Sequence, residues 1–282
     1  MTGSTTGRSR IAGAFRAEGA AAVAVALAST VVLALAVVWI VTHSPNWPRV
    51  RAAFFSGEEF ARSFPAIART FLRNIRYFLV AETFILVWAL VIAVIRSLPG
   101  PVFFPLRALA IFYTDLFRGV PTILVVYLLG FGIPSLGIPG VPTSPAFWAV
   151  VGLILSYSAY VGEVYRAGIE SVHPSQVAAA RSLGLSRLQG LRYVVIPQAV
   201  RRVVPPLLND FVGLQKDTAL VAFVVAVPEA FKQAQIYQSA DFNYTPLLGA
   251  ALVFLLVTVP LTRTVDWLLA RERRRRQAGA AL

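Results

Sequence analysis

The stretch Ser171-Val-His-Pro-Ser-Gln-Val-Ala-Ala-Ala-Arg-Ser-Leu-Gly184 decides how the rest of the chain is read. It predicts one short, well-punctuated helix. Pro174 suits the first helical position, where its missing N–H goes unused. Ala178, Ala179 and Ala180 are strong helix formers, and Gly184 is free to take the left-handed turn that ends a helix. The element is too short to span a bilayer, yet strongly apolar segments lie on both sides of it. Arg187, Arg192, Arg201 and Arg202 follow, a positive run of the kind retained on the cytoplasmic side. A stiff helix projecting from a membrane domain is a handle for a partner. Taken alone, the same helix is equally an ordinary cytoplasmic connector.

Working outward, the composition is that of a protein in a bilayer. The 282 residues are 57% hydrophobic and only 14% charged, well under the roughly 25% of soluble domains. Mean hydropathy is +0.69. There is no cysteine, which excludes disulfides and thiolate metal sites. His43 and His173 stand far apart in unlike surroundings and give no reason to expect a metal. The net charge of +13 reads as topology rather than nucleic-acid binding, because Arg271, Arg273, Arg274, Arg275 and Arg276 directly follow the last apolar segment. Such residues also favour anionic lipid headgroups.

In chain order, residues 1–19 read as a disordered cytoplasmic tail and 20–42 as an accessory transmembrane helix, charge-free and long enough to span. A cleaved signal peptide competes for this segment, but its apolar region would be shorter. Residues 43–76 carry six arginines and apolar residues at near-helical spacing, and predict an amphipathic helix on the outer surface. Residues 77–269 hold five further spans around a loop at 166–202, and 270–282 form a basic cytoplasmic tail. The expected fold is therefore all-α and integral to the membrane, with about six spans and both termini inside. Asp115, Arg118, Gly119 and Pro121 interrupt the span at 106–129, which predicts a broken helix buried in protein. Ser156, Ser158, Ala159 and Gly162 give the next span a small-residue face for close packing.

The ordered motifs resemble those of one family. Ala178-Ala-Ala-Arg-Ser-Leu-Gly184, nine residues, then Val194-Val-Ile-Pro197 match the spacing of the EAA loop in membrane (permease) subunits of ABC importers. Glu163-Val-Tyr-Arg-Ala-Gly168, Pro205-Pro-Leu-Leu-Asn209, Lys216-Asp-Thr-Ala-Leu220 and Phe117-Arg-Gly-Val-Pro121 resemble the polar amino-acid branch. The resemblance runs from about 71 to about 269. It implies that the helix near 174–184 couples to an ATPase subunit, with Pro174, Ala178, Ala179, Ala180, Arg181, Gly184, Val194, Ile196 and Pro197 in the coupling element. It also implies an ATPase dimer that holds ATP and Mg, a second permease subunit and an extracytoplasmic substrate-binding protein. In one respect the chain departs from the pattern: Ala178 stands where the motif begins with Glu.

The residues agree with a division of labour between chains. No glycine-rich phosphate loop, metal cluster or nucleophile elbow is present, so no cofactor is expected on this chain and no catalysis. Glu82, Asn209, Asp210, Lys216, Asp217 and Thr218 are candidates for a translocation pathway. A zwitterionic solute needs a cation near its carboxylate and an acceptor near its ammonium, in a shielded cavity. The alternatives are a structural Lys216–Asp217 pair holding a broken helix and an interfacial position for Glu82. Glu163 with Arg166, and Asp115 with Arg118, have the spacing of structural pairs. A carrier or channel driven by an ion gradient is the rival reading, with Glu82, Asp210 and Asp217 as its polar groups. It lacks the internal repeat common in such carriers.

Overall fold

In the computed structural model, residues 6–224 and 228–280 are described. Every regular element among them is a helix. The chain forms two compact units, Met1–Ser56 and Gly57–Leu282.

The first unit holds α1 (Thr6–Thr42) and α2 (Trp47–Phe54). Residues 21–42 of α1 are long and apolar enough to cross a membrane, and none of that window is buried in protein. Its hydroxyls bond back to the helix, Ser29 and Thr30 both donating to the Ala26 carbonyl, which satisfies them in an apolar setting. Trp39 stacks on His43 at 4.7 Å where the span ends. Helical backbone begins at Thr6, so residues 6–19 are not the disordered tail expected from composition; residues 1–5 lie outside the described residues. Ala and Arg in this stretch propagate a helix well once a long one exists, since nucleation is the costly step.

The second unit begins with α3 (Gly57–Ser97), a continuous helix of 41 residues. This corrects the surface helix expected at 43–76 and the core boundary at 77. Ile67, Phe71, Phe78, Ile85 and Ile92 recur four or seven residues apart and are all buried, so one apolar stripe runs along most of the helix. The half read as facing headgroups instead packs Ile67 and Phe71 against Ala250 and Val253 of the last helix. Phe71 meets Phe254 edge-on at 5.0 Å.

Next come α4 (Phe104–Gly119) and α5 (Thr122–Ser135), which together pass as one span bent by 103°. The break is local chemistry. Pro121 disfavours helical geometry in the residue before it, and Val120 is extended at φ −97°, ψ 129°. The expectation that the charges at this break lie buried fails: Asp115 and Arg118 are exposed, and no ion pair joins them. Arg118 lies over the Tyr160 ring at 5.7 Å instead.

Central to the unit is α6 (Pro145–Glu170), whose start is capped by the Ser144 hydroxyl accepting from Phe147 N–H. Small residues let its neighbours approach. A Cβ on Gly152 would stand 3.1 Å from the Val126 Cα of α5, and one on Gly162 would stand 3.4 Å from the Ala89 carbonyl of α3. The main core, including Ile85, Val126, Leu153, Val161, Leu214 and Val221, forms around this helix.

The chain then makes α7 (Pro174–Ser182), the single turn α8 (Arg187–Gly190), a π-helical turn at Leu191–Val195 and α9 (Ile196–Asp217). A 3-10 turn, Thr218–Phe223, continues α9. Four helices plus the bent α4–α5 pair are long and apolar enough to cross. The expected span at 203–227 is not among them, because the polar residues at 209, 210 and 215–217 make it amphipathic.

Last are α10 (Ala230–Asp241) and α11 (Thr245–Ala280), the latter carrying the basic stretch onward as helical backbone. The start of α10 is welded to α3 through buried polar groups. Glu229 accepts from the Phe231 and Lys232 N–H groups, and the Asn74 side chain both donates to Glu229 at 2.7 Å and accepts from Ala230 N–H at 3.2 Å. Three orphan N–H groups of the first helical turn are thus satisfied. Burial pushes the Glu229 carboxyl above the ordinary range, against the hydrogen bonds it accepts. Arg73 donates to the Pro228 carbonyl beside this cluster.

Candidate functional site

α7 is built as its residues require. Pro174 occupies the first turn, and the His173 ring caps it by accepting from Ser175 N–H at 3.2 Å. At the other end Gly184 takes φ +79°, and Leu185 N–H reaches back to the Ala180 carbonyl at 3.1 Å, the closure of a glycine-stopped helix. One face is anchored: Ala180 is buried, and Gly190 packs close to its Cβ. The other face is open, with Ala178, Ala179, Arg181 and the 83%-exposed Leu183 all outward. Further along, Val194 is half-buried, whereas Ile196 and Pro197 are exposed. Pro174, Ala178, Ala179, Ala180 and Arg181, with the Gly184 stop, thus belong to one capped helix with an open face, whereas Val194 lies on the π-helical turn and Ile196 and Pro197 on α9.

The end of α6, which leads into α7, is tied to its neighbours by several groups. Glu163 on α6 accepts from Arg96 of α3 at 2.6 Å on one oxygen and from Arg166 Nε at 3.1 Å on the other. Arg166 continues the chain to Glu170, the last residue of α6. Arg96 also donates to the Thr114 hydroxyl of α4 at 3.4 Å. Arg202 of α9 donates to the Ser171 carbonyl, and Val172 packs against Val195 and Ala199. The expected Glu163–Arg166 pair is thus present, within a larger network.

The polar candidates in the membrane do not form one cluster. Glu82 is half-buried midway along α3, not at its end, and its carboxylate lies within electrostatic reach of Asp210 on α9. Oδ2 of Asp210 is buried with no hydrogen-bond partner among the described residues. Asp217 accepts from the Tyr157 hydroxyl of α6 at 2.8 Å, and Asp210 is also within electrostatic reach of that hydroxyl. Three carboxylates and one tyrosine therefore line the junction of α3, α6 and α9.

The other three candidates go elsewhere. Lys216 is exposed and does not pair with Asp217, which overturns the buried Lys–Asp pair; adjacent residues on a helix do not face one another. Asn209 is exposed as well. Thr218 is buried in the Asn74 cluster, receiving a bond from Asn74 at 3.3 Å and donating to the Gln215 carbonyl. Tyr157 and Arg96 are the residues that sequence reasoning missed. Tyr157 sits in the small-residue stretch of α6, where a lone large polar group was the available signal.

Between α3, α6 and the start of α9, the apolar residues Leu90, Val94, Ile169, Val195, Val203 and Leu207 line a cavity of about 550 Å³ together with Tyr165. The cavity adjoins the π-helical turn through Leu191 and Val195.

Residues 102–274 match the family described as the binding-protein-dependent transport system inner membrane component. The chain is 33% identical over 199 residues to a probable amino-acid permease protein, YxeN, of Bacillus subtilis, covering 70% of this chain and 87% of that one. It is 37% identical over 186 residues to a probable amino-acid ABC transporter permease protein, PatM, of Vibrio harveyi, covering 65% and 81%. A crystal structure of an amino acid ABC transporter with histidines superposes with a TM-score of 0.67 at 30% identity, over 75% of this chain and 96% of that chain. With its all-helical frame and projecting α7, this chain belongs to the inner-membrane component family of binding-protein-dependent transport systems, as an ABC-importer permease subunit.

Proposed function

We propose that the chain is the membrane-spanning permease of an ATP-driven importer for polar amino acids. It resides in the bacterial cytoplasmic membrane with both termini inside. The observation that carries this reading is α7: rigidly rooted, capped at both ends, and presenting an open face to a partner. An ATPase dimer docks there and holds the ATP and Mg. This chain performs no covalent chemistry of its own. It pairs with a second permease subunit, and a substrate-binding protein delivers solute from outside. The names of its relatives support an amino-acid cargo.

Glu82, Asp210 and Asp217, with Tyr157, are the groups of the pathway that meet a solute's ammonium group, since they are acceptors in a partly shielded place. Lys216 and Asn209, being exposed, are available to a solute carboxylate or to the second permease. Purification from native membranes tests the assembly. The chain should bring down an ATPase in equal amount. Isolation of the chain alone, with uptake driven by an ion gradient, would favour the carrier reading instead.

A further inference from the structure

The Glu163 network has a feature that its fold role does not require. Arg166 links Glu163 to Glu170 along α6, while the Arg202–Ser171 contact and the Val172–Val195–Ala199 packing, with Val177 of α7 against it, join the exit of α6 and α7 to the start of α9. They make one body of the coupling element. Among the described residues, Arg96–Glu163 is the ion pair that joins this body to α3. The same guanidinium reaches Thr114, whose hydroxyl also donates to the Ala110 carbonyl within α4. One side chain therefore bridges three helices. Both partners of the pair are mostly shielded, with side-chain exposures of 16% and 22%, so water screens their attraction only in part. α4 leads directly to the 103° break before α5.

We propose that Arg96 and Glu163 are positioning residues for coupling: the pair makes a displacement of α7 move α3 and α4 with it. Neither residue touches solute or ATP. Their action is through α6 and α7, so the inference rests on the reading of α7 as the ATPase contact. One nitrogen, Nη1, donates to both the Glu163 carboxylate and the Thr114 hydroxyl, whereas a non-ionic side chain leaves Glu163 to Arg166 alone.

The test uses the complex of this chain with the ATPase that co-purifies with it, reconstituted in vesicles. Uptake and ATP hydrolysis are measured together, and their ratio is the readout. Arg96→Gln should assemble and hydrolyse ATP, but its uptake per ATP should fall about fivefold or more, the scale of a coupling interaction. Arg96→Lys, which keeps the charge on Glu163, should recover most of that ratio. A purely structural pair would lower the amount of complex and leave the ratio alone. An unchanged ratio in Arg96→Gln would overturn the proposal. Should that variant fail to assemble, Thr114→Val removes the α4 contact with every ion pair kept. A lowered ratio there supports the bridge, and a wild-type ratio overturns it. Failure of the underlying reading looks different: no ATPase would accompany even the unaltered chain.

Discussion

Gly184 stands at φ +79° with nothing within 4 Å of where a Cβ would be, so a side chain there is opposed by backbone conformation alone. For a β-branched residue that conformation is a true outlier, and leaving it would cost about 1–2 kcal/mol and re-aim the exit from α7. Ala178 is the opposite case. It is exposed on a helix whose described charge is Arg181, and the chain has Ala where relatives of the motif begin with Glu. On the proposed docking, the contact rests on the apolar face around Leu183, and a restored carboxylate adds at most a rim contact worth about 0–1 kcal/mol. Substrate-stimulated ATPase activity of the assembled complex should therefore survive Ala178→Glu and drop several-fold in Gly184→Val. Normal activity in Gly184→Val together with loss of assembly in Ala178→Glu would reverse this account of the helix.

At the scale of elements, close approach decides the packing. Gly152 faces backbone of α5, which cannot turn aside as a side chain can, so bulk at this position must push two helices apart. Over-packing of this kind costs about 1–3 kcal/mol. Gly132 on α5 has open space around it. Thermal denaturation in detergent should show a lowered midpoint for Gly152→Leu and almost none for Gly132→Leu. Equal midpoints would mean that α5 and α6 are not held at this distance. What could be read from residues alone divides along the same line. α7 was legible because proline, alanines and glycine act locally, within a few positions. The break at Pro121 was legible for the same reason. The weld of α10 to α3 was not, because Asn74 and Glu229 are separated by 155 positions and nothing local marks them as partners. α3 was read as two segments because its arginines mask the apolar stripe, though the stripe never changes phase. The structural Lys216–Asp217 pair, the alternative to a pathway role for these residues, is absent because adjacency on a helix separates two side chains rather than joining them.

For the molecule as a whole, the division of polar groups is the main fact. The acidic junction of Glu82, Asp210 and Asp217 lies among α3, α6 and α9, and the ion network at Glu163 joins two of those same helices, α3 and α6, the latter leading into α7. On the proposed reading of α7 as the ATPase contact, a push on it reaches the helices that carry the carboxylates. On that reading the energy comes from the ATPase partner that the family implies. The most direct measurement is uptake of a labelled polar amino acid into vesicles that hold the chain with its co-purified ATPase and binding protein. The account predicts uptake that requires ATP inside the coupled complex, is stimulated by the binding protein, and persists when ion gradients are collapsed. Uptake by the chain without the ATPase, abolished by an ionophore and indifferent to ATP, would contradict it.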